Sequence, residues 1–189
     1  MKVQQLVRLD PDIAGRVGIL LFDTSPEANT IMADAVALLR ARGIAVGGLL
    51  QRFGERLPSG KHSVWLDDLA NGEVIRLDQP RGAGASSCTL DSSALAEAAC
   101  RLRRAAISGS RVIFVPRFGS VEAEGGGLRL EIAEAVLSGA AVIIGARPSL
   151  LPALEQFLGR PGTMLLPSAA AVAGWAAPAS GAALADAAD

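Results

Sequence analysis

The chain returns repeatedly to short, uninterrupted apolar runs, each followed by a stretch of helical periodicity. They are Val17-Gly18-Ile19-Leu20-Leu21-Phe22, Ile44 to Gln51, Val112 to Val115, Ala141-Val142-Ile143-Ile144 and Thr163-Met164-Leu165-Leu166. A strand without polar alternation is the kind buried on both faces of a parallel sheet. Strands that alternate with helices return to such a sheet by right-handed crossovers and cover both its faces. The expected fold class is therefore α/β: a three-layer α/β/α sandwich with a mostly parallel sheet.

The intervening segments carry their own signals. After the first strand, Thr24 and Glu27 have capping-box spacing and Pro26 suits a first helical turn; Ile31, Ala35, Leu38 and Leu39 form an apolar face that ends at Gly43. Arg52 to Gly60 reads as a polar loop. Asn71-Gly72, set between apolar runs, is the signal of a tight hairpin and supplies an antiparallel insertion. Asp91 or a neighbouring serine caps a helix with Leu95, Ala99, Leu102 and Ala106 on one side. Further helices are expected over about 128–137, 151–157 and through Trp175. Residues 1–176 read as one domain and 177–189 as an alanine-rich tail.

Bulk properties narrow the function. Eighteen basic residues against nineteen acidic ones, with 4% aromatics, provide neither the basic footprint nor the stacking surface of a nucleic-acid binder. No apolar run approaches the roughly 18 residues that span a bilayer, and the first residues lack a signal-peptide core, so a cytoplasmic protein with no membrane partner is expected. Two cysteines are too few for a disulfide framework, and a single histidine, His62, argues against a His-rich metal site; no metal ligands are assigned. Cys100 reads as helix packing, His62 as a solvated loop residue, and Trp65 and Trp175 as core or interface residues.

Asp23 to Thr30, D-T-S-P-E-A-N-T, has the length and place of the phosphate loop G-x-x-x-x-G-K-[ST], yet keeps only its final hydroxyl residue. Together with R-F-G-S-V-E-A-E-G-G-G-L-R, Arg117 to Arg129, and G-A-S-S-C-T-L-D, Gly84 to Asp91, the order of elements resembles the small P-loop nucleoside-triphosphatases of the cancer-related type. It resembles more closely a bacterial family catalogued as a domain of unknown function, a degenerate branch of that group. The likeness runs from about residue 16 to residue 176. It implies a P-loop NTPase-like fold and a link to molybdate metabolism.

Set against the active group, Asp23 and Ala28 replace the two glycines and Asn29 replaces the lysine. Pro116-Arg117-Phe118-Gly119-Ser120-Val121-Glu122 stands where D-E-x-G-x-x-E supplies the magnesium carboxylate and a water activator. Losing the lysine and the metal carboxylate together removes the main stabilisers of phosphoryl transfer and argues against magnesium as a cofactor. The leading expectation is a non-hydrolysing binding or regulatory module that takes a nucleotide or small oxyanion, with the Asp23–Thr30 turn keeping the backbone of a phosphate loop. The alternatives are a nucleoside-triphosphatase with relocated groups, in which Glu122 is the catalytic base, and a ligand-free scaffold or homo-oligomeric subunit.

Ligands of open α/β sheets bind outside the carboxyl ends of the strands. Three segments are expected to converge there: 23–30, 79–91 and 117–129. The candidate ligand-binding residues are Thr24, Ser25, Asn29 and Thr30 from the first, Arg81, Gly84 and Cys88 from the second, and Arg117, Gly119, Glu124 and Arg129 from the third. Arg117 is suited to a tetrahedral oxyanion through bidentate hydrogen bonds, or pairs with Glu122 or Glu124. Gly125-Gly126-Gly127 is either a flexible connection or a cradle, and Cys88 either a reactive thiol or a buried, inert one.

Overall fold

A computed structural model describes residues 16–23, 25–57, 60, 62–78 and 91–179. Seven strands form one sheet in the order β4-β3-β2-β5-β6-β1-β7. Strands β1 (Val17–Leu21), β2 (Val46–Arg56), β5 (Val112–Phe118), β6 (Ala141–Ala146) and β7 (Thr163–Leu165) run parallel to their neighbours, while β3 (His62–Asp68) and β4 (Val74–Arg76) extend the β2 edge antiparallel. Helices α1 (Ser25–Ala41) and α6 (Ala169–Ala179) cover one face. The other is covered by α2 (Ser92–Ile107), α4 (Arg129–Leu137) and α5 (Leu151–Leu158). The three-layer sandwich expected from the alternating pattern is present.

The two cores divide by strand alternation. Val17, Ile19, Ile113, Val115, Val142 and Ile144 point to the α2/α4/α5 side. Leu20, Val112, Phe114, Ala141 and Ile143 point to the α1/α6 side. All are fully buried, which is why the sequence shows apolar runs and not period-two alternation. Gly18 is a spacing requirement: a Cβ there would sit 2.7 Å from Leu165 Cδ1 and 2.8 Å from a Trp175 ring carbon, so its hydrogen lets Trp175 of α6 lie against β1.

Several local expectations change. The hairpin between β3 and β4 is not a two-residue turn: Asp67 pairs with Val74, leaving Asp68 to Glu73 to turn the chain, with Gly72 at φ 75°. The extra residues are held by Asp68, whose carboxylate accepts from the Ala70 amide and from Arg101, while its own backbone amide and carbonyl bond Glu73 and Gly72. The polar loop expected after Gln51 is mostly strand, because β2 continues to Arg56 and pairs with β3. Leu38 is 39% exposed and Met32 and Val36 take its place in the core. On α2 the buried line is Ala94, Ala98, Leu102 and Ala105, with Asp91 as the N-cap accepting from the amides of Ser93 and Ala94. Cys100, expected to pack, is exposed on that helix. Trp65 is half-buried on the antiparallel extension, its ring lying between the Arg52 and Arg76 guanidiniums at 5.4 and 5.2 Å; Trp175 packs in the α1/α6 core.

Asp78 closes the β3–β4 unit from within. Burial pushes its carboxyl up, but the Val64 amide at 2.8 Å and the Arg76 guanidinium at 3.0 Å outweigh burial and hold it below the ordinary carboxylate value. A depressed folded value contributes stability above the unfolded value, about pH 4, and loses it as pH falls through the lower folded value. We expect Asp78→Asn to cost about 1–3 kcal/mol at pH 7. The deficit against wild type should narrow below about pH 4 in urea titrations.

Candidate functional site

The carboxyl ends of β1, β5 and β6 and the middle of β2 open onto a crevice of ≈ 530 Å³. Its position follows from β5. Val115 pairs with Ile144 and Phe118 with Ala146, so three steps along β5 match two along β6: one residue is extra. Pro116 has no amide hydrogen for the ladder, and proline within a sheet is confined to edges or bulges. A bulge re-aims side chains at a site. Here Pro116 and Phe118 stay buried while Arg117 between them is turned out into the crevice.

The chain after β5 is fixed by one carboxylate. Gly119 starts the short helix α3 (Ser120–Ala123), and its amide donates to Glu122 Oε2 at 2.9 Å. The Leu128 amide donates to Glu122 Oε1 at 3.1 Å, and Arg129 Nη1 donates to the Glu122 carbonyl at 2.9 Å. Gly125 at φ 97° and Gly127 at φ 60° carry the backbone around this carboxylate, and a Cβ on Gly127 would come 2.1 Å from Glu122 Oε1. The glycine triplet is therefore neither a loose connection nor a phosphate cradle. It wraps a side chain of its own protein.

Arg147, directly after β6, supplies the second guanidinium of the crevice, and Ser149 follows in the 3₁₀ turn Pro148–Leu150. Partial desolvation and then the Arg147 charge pull the Arg117 guanidinium below the ordinary arginine value, with Glu122 opposing them. Two like charges facing one concavity favour an anion between them. Gln51 of β2 also lines the crevice, and the walls are apolar: Phe22, Leu66, Leu95, Phe118, Leu128 and Leu150.

The candidates from the sequence divide accordingly. Arg117, Gly119 and Glu122 come together. Arg129 is spent on the Glu122 carbonyl and lies over the Phe157 ring at 4.4 Å, and Glu124 is exposed at the end of α3. Arg81, Gly84, Cys88 and Thr24 fall outside the described residues. Ser25, Asn29 and Thr30 lie within α1. The expectation of a preserved phosphate-loop backbone is thereby corrected: the helix begins at Ser25, so six of the eight motif positions are helical. Helical amides from the second turn onward bond their own carbonyls and cannot curl around a phosphate chain. Asp23, Glu27 and Ala28 line a separate cavity of ≈ 170 Å³ with Pro148 and Pro167, and its two carboxylates suit no anion. Asn29 Nδ2, at the lysine position, is buried with no acceptor among the described residues. Arg147 and Gln51 stand outside every motif of the sequence. The strand-end rule points to Arg147, whereas Gln51 lies in the middle of β2 and carries no local signal.

Comparison with known proteins identifies the family. The family model described as Protein of unknown function (DUF2478) matches residues 17–175. The chain belongs to this family. The DUF2478 chain is also similar to the molybdenum import ATP-binding protein ModC 2 of Bradyrhizobium diazoefficiens, 31% identical over 170 residues, 88% of this chain and 18% of that protein. It thus spans less than a fifth of that relative's length. The similarity to an ATP-binding protein fits a P-loop NTPase-like sandwich. No solved structure matches the chain. Among the described residues no helix is long and apolar enough to cross a membrane, and no cluster of three or more His, Cys, Asp or Glu side chains is placed to hold a metal.

The Glu122 wrap can be tested by substitution. Gly127→Ala meets both a left-handed backbone and the carboxylate, and should lower stability by about 1–3 kcal/mol. Gly126→Ala, whose nearest neighbour is Val121 Cγ1 at 3.3 Å, should stay within about 0.5 kcal/mol of wild type in the same denaturant titration.

Proposed function

We propose that this protein is a binding or regulatory module on a P-loop NTPase-like fold, holding a nucleotide or small oxyanion at its strand-end crevice without hydrolysing it. The observation that carries the proposal is the pairing of Arg117 and Arg147 in one concavity at the ends of adjacent strands. Guanidiniums match tetrahedral oxyanions by geometry as well as charge. Burial first and the Arg147 charge second lower the proton affinity of Arg117, and a bound anion would offset both.

Three features support binding without turnover. The β5 end carries Pro116-Arg117 where a nucleoside-triphosphatase of the resembling group carries its metal carboxylate. The first-strand turn is helical from Ser25, with no lysine. Glu122, the base that a relocated mechanism requires, has both carboxylate oxygens engaged by backbone amides, which ties it in place. The ModC 2 relative is named for molybdenum import, and molybdate is therefore one of the oxyanions to test.

Isothermal titration of the purified chain with phosphate, molybdate, tungstate, ATP and GTP checks the reading. At least one should bind, and Arg117→Gln and Arg147→Gln should each weaken it by about tenfold or more. Arg147→Gln should at the same time leave the melting temperature unchanged or raise it, since it removes a repulsion. Silence from all five ligands, or phosphate release from magnesium ATP above a blank, defeats the proposal.

A further inference from the structure

We infer that the crevice is built for a nucleoside monophosphate: a heterocyclic base with an amide-like edge, carrying one phosphate group, held in preference to a free oxyanion or a triphosphate. This rests on the anion site proposed above. The new observation is Gln51. Its residue is only 7% exposed, it lines the crevice, and its side-chain amide has no hydrogen-bond partner among the described residues. An amide that reaches the crevice without a protein partner offers one acceptor and two donors to whatever fills the space. Glutamine recognises base edges by presenting this donor and acceptor side by side.

Its placement relative to the cations is set by the sheet. The last β2–β5 pair is Gly48 with Phe114, and Gln51 and Arg117 each stand three residues beyond it on neighbouring strands; Arg147 follows the last β6 residue on the next strand. The amide and the two guanidiniums thus line one crevice from three adjacent strands. The base end falls over β2, among Leu66, Leu77 and Leu95, and the phosphate end over β5 and β6.

Size and charge exclude the neighbouring classes. A cavity of ≈ 530 Å³ is within the roughly 300–1,000 Å³ that holds an organic ligand. A lone tetrahedral oxyanion would leave its apolar walls wet. Two guanidiniums balance a phosphate monoester, which carries close to two negative charges near neutral pH. A triphosphate brings more charge into a crevice that also holds the Glu122 carboxylate, and the residues at the β5 end provide no metal carboxylate to offset it.

Calorimetry with AMP, GMP, CMP, UMP, inorganic phosphate and ATP on wild type and Gln51→Leu tests this. We expect at least one monophosphate to bind about tenfold more tightly than phosphate or ATP, and Gln51→Leu to erase that preference while changing phosphate affinity less than about twofold. Circular dichroism verifies the variant's fold, and Gln51→Met, closer in shape, replaces it if the leucine chain does not fold. Equal affinity of wild type for phosphate and all four monophosphates overturns the inference and leaves the anion site standing. So does an equal loss of phosphate and monophosphate binding in the variant. Silence from every ligand overturns both.

Discussion

The structure turns on the burial of its central strands from both sides. Val17, Ile19 and Leu20 of β1, Val112 to Val115 of β5 and Ala141 to Ile144 of β6 have no solvent exposure. An unpaired charge cannot be held at that depth. Charged chemistry is therefore excluded from the body of the sheet and is confined to where the strands run out. Helices seal both faces, which leaves the strand ends as the place where Arg117 and Arg147 can share a concavity while remaining anchored to rigid backbone.

That anchoring is local and stepwise. The missing amide of Pro116 breaks the β5–β6 ladder, the break rotates Arg117 outward, and Phe118 resumes the buried side, stacking on Phe157 at 5.7 Å. The chain is then gathered by the Glu122 carboxylate, which satisfies the Gly119 and Leu128 amides at either end of the turn. Arg129 completes the arrangement from α4, bonding the Glu122 carbonyl and covering Phe157. A residue that looks like a catalytic base in the sequence is a structural tie, and one that looks like a phosphate ligand is its fastening.

The layer architecture was legible because a doubly buried strand leaves a continuous apolar run, and the Asp91 cap because a side-chain acceptor at a helix start is a purely local device. The length of β2 was not. Arg52, Glu55 and Arg56 are charged and exposed, so the strand looks like loop until its pairing with β3 is known. The phosphate-loop analogy misled for a similar reason. Eight positions can match in length while Pro26 and Glu27, good first-turn residues, draw the chain into helix at once. Arg117 was found because it lies in a motif, whereas Arg147 and Gln51 belong to no motif. They acquire meaning only when three strands that are distant in sequence are laid side by side.

The single surplus residue in β5 has an evolutionary corollary. Val115 and Phe118 face the same core on either side of it, so losing the codon for Arg117 would restore the ladder and leave Phe118 opposite Ala146. The outward guanidinium would be gone, and every buried neighbour would keep its place. A fold of this kind can thus surrender a charge at its mouth by a deletion of three bases, without touching its core.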